Sequence, residues 1–407
     1  MLADTVKDEN ASASMTLARM QGLAAMGAGR LAIRTIACND VDLLCRSGLR
    51  LGIALLRAGG TSAGQRVMQE NLYKVLMSMG TDPASAAAID GTHEGFLGTI
   101  RNRLRLGIKE ITDRKIYLAT QSERRLVLAE TDNVSRATLA SMIAENNKEF
   151  PTRAFVLDVL ELLQALVEGH NESFQNYLRD QPDRVYDIDI ISEVVGLAQA
   201  IEPELDAQNI DQLHACISFL TEAVQGESSR ENARLLLDTK LLIVADRLLT
   251  KFPFDSEVTI EAITALRSQV LALLHALLEG NDASMVERMC YLLDVNALAE
   301  VAYEWYAPGA SAVAGGDNMQ PCERRLTVSR LSVSRLSVGR LSLTSGGMRR
   351  SMVASGSHDD DPIAEAKRGN ARQVYMLLWQ LLDPSVYPKV PNRRVAYSFL
   401  EDKVLHE

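Results

Sequence analysis

One phrase recurs along this chain: a leucine-rich run, a closing Gly or Gly-Asn, then a short polar stretch that opens another helix. It stands as Leu51-Gly-Ile-Ala-Leu-Leu-Arg-Ala-Gly-Gly-Thr61, as Leu160-Glu-Leu-Leu-Gln-Ala-Leu-Val-Glu-Gly-His-Asn171, and as Leu271-Ala-Leu-Leu-His-Ala-Leu-Leu-Glu-Gly-Asn281. A glycine closes each run because it takes the left-handed backbone at a helix end without a Cβ clash. Thr61, Asn171 and Asn281 then stand where the next helix needs a cap. Helix pairs repeated along a chain predict an all-α, armadillo-like α-solenoid, in which each unit buries its face against its neighbours.

The 407 residues exceed one ordinary hydrophobic core. Aromatics are only 5%, so the core is aliphatic, which suits helix-on-helix packing better than sheets. A formal charge of -10 argues against nucleic acid as a partner. The five cysteines share no CxxC spacing and read as buried free thiols of a reducing compartment. No uninterrupted apolar run reaches the ~18 residues of a membrane span. The acidic N-terminus lacks a signal-peptide core, so the chain reads as soluble and cytosolic, with no direct membrane span.

Composition and periodicity divide the chain into five parts. Residues 1–30 are a partly ordered N-terminal segment, and 31–130 a helical armadillo-like segment. Residues 151–307 form the clearest helical domain, where Val156, Val159, Leu160, Leu163 and Leu166 surround a stripe of Asp158, Glu161 and Gln164. Within it, Ser228 to Glu231 has capping-box spacing, one helix runs through Leu235 to Leu248, and Asp255 is positioned to cap the next. Residues 309–361 carry a five-residue Arg-Leu-Ser/Thr-Val-Ser repeat and read as a disordered basic linker. Residues 362–407 return to helices, opened by Asp361-Pro362 and ending in one over 393–405.

No catalytic motif emerges. The six histidines form no HExxH, and GxxxxGK[ST], GxGxxG and GxSxG are missing, so the reading is a non-enzyme without cofactor or metal. His170 follows a helix-ending glycine and is expected to cap carbonyls. Two features remain as candidate sites. From about Phe96 a helix carries Arg101, Arg103, Arg105 and Lys109 opposite its apolar face, a basic docking face for an acidic partner or an inositol phosphate. On the last of three helices expected between Leu31 and Leu76, Gln65, Glu70 and Lys74 face water. In the linker, arginines precede Thr327, Ser332, Ser337 and Ser351, which are candidate phosphorylation positions for a basophilic protein kinase.

Several segments resemble the ryanodine/inositol trisphosphate receptor family. Leu162 to Arg179 is similar to that family's Leu-rich helix with a His-Asn turn followed by Gln-Asn-Tyr-Leu-Arg. Leu220-Thr-Glu-Ala-Val-Gln-Gly226 and Ala272 to Gly280 follow in family order, Leu51 to Thr61 precedes them, and Asn370 to Leu381 and Ala396 to Leu400 resemble the helices leading to the membrane region. The inositol trisphosphate receptor branch is the nearer likeness. The resemblance implies the cytosolic regulatory and coupling region of an intracellular ligand-gated calcium-release channel, at the endoplasmic reticulum or another calcium store. Its partners would be the remaining channel domains and neighbouring subunits of a homotetramer. The other reading of the residues is a free-standing armadillo-like adaptor that binds peptide or kinase partners.

Overall fold

Helices account for every regular element among the residues described by a computed structural model: 15–38, 42–57, 62–81, 95–129, 152–181, 187–226, 229–280, 283–306 and 362–382. The helices are α1 (15–25), α2 (Ala28–Ala37), α3 (Asp42–Arg57), α4 (Ser62–Thr81), α5 (Gly95–Ala129), α6 (Arg153–Val167), α7 (Glu172–Tyr177), α8 (Ile190–Ile201), α9 (Ile210–Val224), α10 (Arg230–Leu237), α11 (Leu241–Thr250), α12 (Ile260–Leu277), α13 (Ala283–Leu292), α14 (Val295–Tyr306) and α15 (Pro362–Leu382). A single 3-10 turn, Glu202–Glu204, follows α8. Two compact units divide at Asp294 and Val295.

In the first unit α3, α6, α9 and α12 pack side by side as one row, and α5, α8 and α11 form a second row against it. This is the layered stacking of an all-α solenoid, as the repeated phrase predicts. α6 and α9 are buried over most of their circumference. In α6 this includes Val156, Val159, Leu160, Leu162, Leu163, Leu166 and Val167, and in α9 Leu213, Cys216, Phe219 and Leu220. α12 is long and apolar enough by length and composition to cross a membrane. Its packing against α9 and α11, with Leu266, Val270, Leu273 and Leu274 buried, makes it a core helix of the stack. In the second unit α14 and α15 pack together through Leu298 and Trp305, and Val374, Leu377, Leu378 and Leu381.

The glycine punctuation is realised at Gly169, Gly226 and Gly280, with φ of 75°, 99° and 86°. His170 also takes a left-handed φ of 60°. Asn171 caps α7, its side chain accepting from the Phe174 amide. Thr61, Asn281, the linker with Thr327, Ser332, Ser337 and Ser351, and the expected helix over 393–405 lie outside the described residues.

Two local expectations are corrected, and a third, the capping box from Ser228, lies partly outside the described residues. The helix through Leu235 to Leu248 is two helices, because the Thr239 hydroxyl donates to Leu236 O and accepts from the Leu241 amide, closing one helix and opening the next. At the start of α10 the Ser229 hydroxyl turns back to Gly226 O and Val224 O, while Glu231 pairs with Arg179 at 2.6 Å; Ser228 lies outside the described residues. Thr259 caps α12, accepting from the Ala262 amide, and Asp255 instead closes a turn onto the Glu257 amide.

Candidate coupling interface

The helices before residue 130 meet those after 151 along a seam with cations on one side and carboxylates on the other. Arg46, Arg50 and Arg57 lie on one face of α3, at spacings of roughly whole helical turns. They meet the α6 stripe: Arg46 Nε is 2.7 Å and Arg50 Nε 3.5 Å from Asp158 Oδ2, and Arg57 Nη1 is 2.8 Å from Glu161 Oε1. Asp158 is only 18% exposed, so the polar stripe of α6 is a docking strip. Between the arginines, Gly52 lets the helices close: a Cβ there would lie 3.0 Å from Leu162 Cδ1.

α4 finishes the seam at the C-terminal end of α6, whose last carbonyls lack partners within the helix. Gln69 is 3% exposed, and its amide donates to Ala165 O at 3.0 Å and Glu168 O at 2.9 Å. Its own oxygen accepts from Asn171 Nδ2 at 3.0 Å. Gln65, expected to face water, is half-buried and donates to Glu168 Oε2 at 2.8 Å. Glutamine is used because a buried carbonyl needs a donor, and an amide supplies one without burying a charge.

α5 carries the basic residues singled out above. Arg105 makes a two-pronged contact with Glu193 on α8, with its Nε 2.9 Å from Oε1. Arg103 bonds Asp42 and lies over the Phe155 ring at 4.4 Å to its centroid. Further along, Arg114 pairs with Asp206 at 2.8 Å and Lys115 with Glu204 at 2.7 Å, while Glu110 accepts from the Thr152 amide. Lys109 is exposed and Arg101 half-buried. Arg103 and Arg105 thus meet acidic partners within the chain itself. A cleft of about 320 Å³ lies beside this stretch, between Arg114, Lys115, Glu204, Asp206, Arg247 and Phe252.

On the matching edge of α6, α9 and α12 three glutamates gather. Glu222 is held by the Gly169 amide, and burial first, then the neighbouring Glu168 charge, raises its pKa; His170 opposes this and Glu279 adds to it. Glu279 Oε2 accepts from the Gly226 amide at 2.9 Å. Among the described residues no group of three or more His, Cys, Asp or Glu side chains is placed to hold a metal ion.

The helices on the acidic side of the seam decide the relationship. Residues 151–249 match the family described as RyR and IP3R Homology associated. The segment carries this domain. An alignment 153 residues long, covering 34% of the chain, is 27% identical to the inositol 1,4,5-trisphosphate receptor itr-1 of Caenorhabditis elegans. The alignment spans 5% of the receptor's length. The RyR and IP3R Homology associated domain therefore supplies Asp158, Glu161, Glu168, Glu193, Glu204 and Asp206, and the helices before it supply the cations. Sequence reading missed Gln69 and the acidic partners. The spacing of Asp158 and Glu161 on one helix face was the available signal, since it matches a strip of arginines on α3.

Proposed function

We propose that this chain is part of the cytosolic coupling region of an intracellular calcium-release channel, relaying ligand binding towards the pore without chemistry of its own. The observation that carries this reading is the seam fastening α3, α4 and α5 onto the RyR and IP3R Homology associated domain. Ion pairs, buried amides and close glycine contacts oblige a displacement of one side to move the other. The likeness to a nematode inositol trisphosphate receptor supports the channel setting, at the cytosolic face of a calcium store, with other channel domains and subunits as partners. Lys109, exposed on α5, is then the member of the basic face available to meet another domain. The linker hydroxyls Thr327, Ser332, Ser337 and Ser351 are the positions for kinase control.

The test reverses the seam in the full-length product. In cells depleted of the endogenous product, Arg105→Glu should reduce calcium release triggered by photoreleased inositol trisphosphate. Arg105→Glu combined with Glu193→Arg should restore it. Depletion that leaves release intact, with the product found away from store membranes, would overturn the reading and favour an adaptor.

A further inference from the structure

The packed α2–α3 pair brings two cysteines to the same end. Its register is fixed where the helices touch: a Cβ on Gly48 would sit 2.4 Å from Thr35 Oγ1 and 2.8 Å from the Ile36 amide nitrogen. In an antiparallel hairpin, moving up one helix means moving down the other. Two residues beyond Ile36 is Cys38, the C-cap of α2, and three residues before Gly48 is Cys45, in the first turns of α3. The register therefore sets Cys38 and Cys45 across the hairpin, close to its turn, and each thiol lies within the other's electrostatic reach.

Their environments differ in the way a two-step thiol site requires. Cys38 is exposed, whereas Cys45 is 0% exposed. Burial holds the Cys45 pKa above the ordinary thiol value, with Asp42 and Cys38 adding to the rise, while the Arg103 guanidinium, which reaches its sulfur as a hydrogen-bond donor, acts against it. A guanidinium beside a thiol is the setting that supports a thiolate. Arg103 is itself held by Asp42 and by the Phe155 ring, and its side chain is only 11% exposed. Cys216 gives the contrast: it is fully buried, with no cation beside it, and burial alone drives its pKa far up.

We propose that Cys38 and Cys45 form an oxidation site, closing to an intramolecular disulfide when the chain meets a peroxide. The Cys38 thiolate attacks one peroxide oxygen, the O–O bond breaks, and water leaves, giving the Cys38 sulfenic acid. The Cys45 thiolate, its proton passed to solvent, attacks the Cys38 sulfur; the S–O bond breaks and the departing oxygen takes up protons as a second water. Two thiols and one hydrogen peroxide thus become one disulfide and two waters. Closure takes the Cys45 sulfur away from Arg103 and ties the turn end of the hairpin shut. It therefore alters the contact between α3 and α5.

Trypsin provides a direct readout, because Arg34 and Arg46 bracket a single peptide, residues 35–46, that contains both cysteines. The reduced full chain is treated with a small excess of hydrogen peroxide, its remaining thiols are alkylated, and the digest is weighed without reductant. The expected peptide is lighter than its unalkylated reduced form by two hydrogens. Cutting at Asp40 and Asp42 should yield two fragments still joined until reductant is added. Cys38→Ser should abolish the light peptide, with helix content by circular dichroism confirming the fold, and Cys216 should stay reduced as an internal control. Oxidation of Cys38 to sulfinic acid with Cys45 recovered as an alkylated thiol would overturn the proposal. So would joining of Cys38 to a different cysteine.

Discussion

The seam between α5 and the RyR and IP3R Homology associated domain and the contact between α9 and α12 are held by different forces. The seam uses Arg105–Glu193, Arg114–Asp206 and Lys115–Glu204, pairs whose cations are partly in water except Arg114. The α9–α12 contact is made by buried Phe219, Leu220, Leu273 and Leu274, and Gln269 Nε2 donates across it to the Thr221 hydroxyl at 3.1 Å. Apolar burial is non-directional and strong per residue. Exposed ion pairs add little energy, but they fix orientation and respond to salt. One contact stores stability, and the other sets how two parts align.

Breaking the apolar contact should have the largest effect. Leu274→Ala, or Leu163→Ala in α6, removes a side chain with 0% exposure and should destabilise by about 2–5 kcal/mol in denaturant unfolding, since a cavity remains. Gln69→Leu tests the amide lock between α4 and α6. Leaving the Ala165 and Glu168 carbonyls without their donor should cost about 1–3 kcal/mol. Arg105→Gln should cost only about 0.2–1 kcal/mol, a difference that shrinks when unfolding is repeated near 1 M salt. Equal salt dependence for Leu274→Ala and Arg105→Gln would erase the distinction between the two contacts.

Glu222 sharpens the comparison through pH. Folding raises its pKa by burial and by the facing Glu168 charge, against His170, with Glu279 adding to the rise. The penalty is absent below the ordinary glutamate range of about 4.3, grows as pH rises towards the folded pKa, and is complete above it. Stability should therefore fall with rising pH over that window. Glu222→Gln, which keeps an oxygen for the Gly169 amide, should flatten the fall and raise the melting temperature near neutral pH. A steeper fall in the variant would refute this. The smallest expected effect is phosphorylation at Thr327, Ser332, Ser337 and Ser351. Each phosphate adds about -1.5 to -2 charges, and the consequence should be confined to hydrogen exchange in 362–382. Full modification with unchanged protection there would leave the linker a passive tether.

Local chemistry was legible in the sequence because each signal and its partner lie within a few residues. Gly169 closing α6, Asn171 capping α7 and Pro362 opening α15 are of this kind. The α5 apolar face of Leu97, Ile100, Leu104 and Ile111 was also readable from spacing alone. Gln69 was not, because a helical glutamine reads as solvated until the α6 carbonyls, about a hundred residues away, are brought to it. The basic stripe on α5 was visible as charge, but Arg103 and Arg105 find Asp42 and Glu193 only once the chain is folded. Thr239 escaped notice because unbroken leucines on both sides suggested one helix, and its hydroxyl bonds decided otherwise.

The amide of Gln69 has a consequence for the order in which the chain assembles. It closes the end of α6 across 96 to 99 residues, so that end is finished only after the segment between has looped back. Closing such a loop costs entropy that grows slowly with length, but the search for distant contacts slows folding. The stretch recognised by homology, 151–249, therefore begins inside a cooperative folding unit rather than at its edge. Cut out at that boundary, it would keep α6 but lose the donors for Ala165 and Glu168. During synthesis α3, α4 and α5 emerge before α6, so the donors that finish α6 leave the ribosome ahead of the carbonyls they meet.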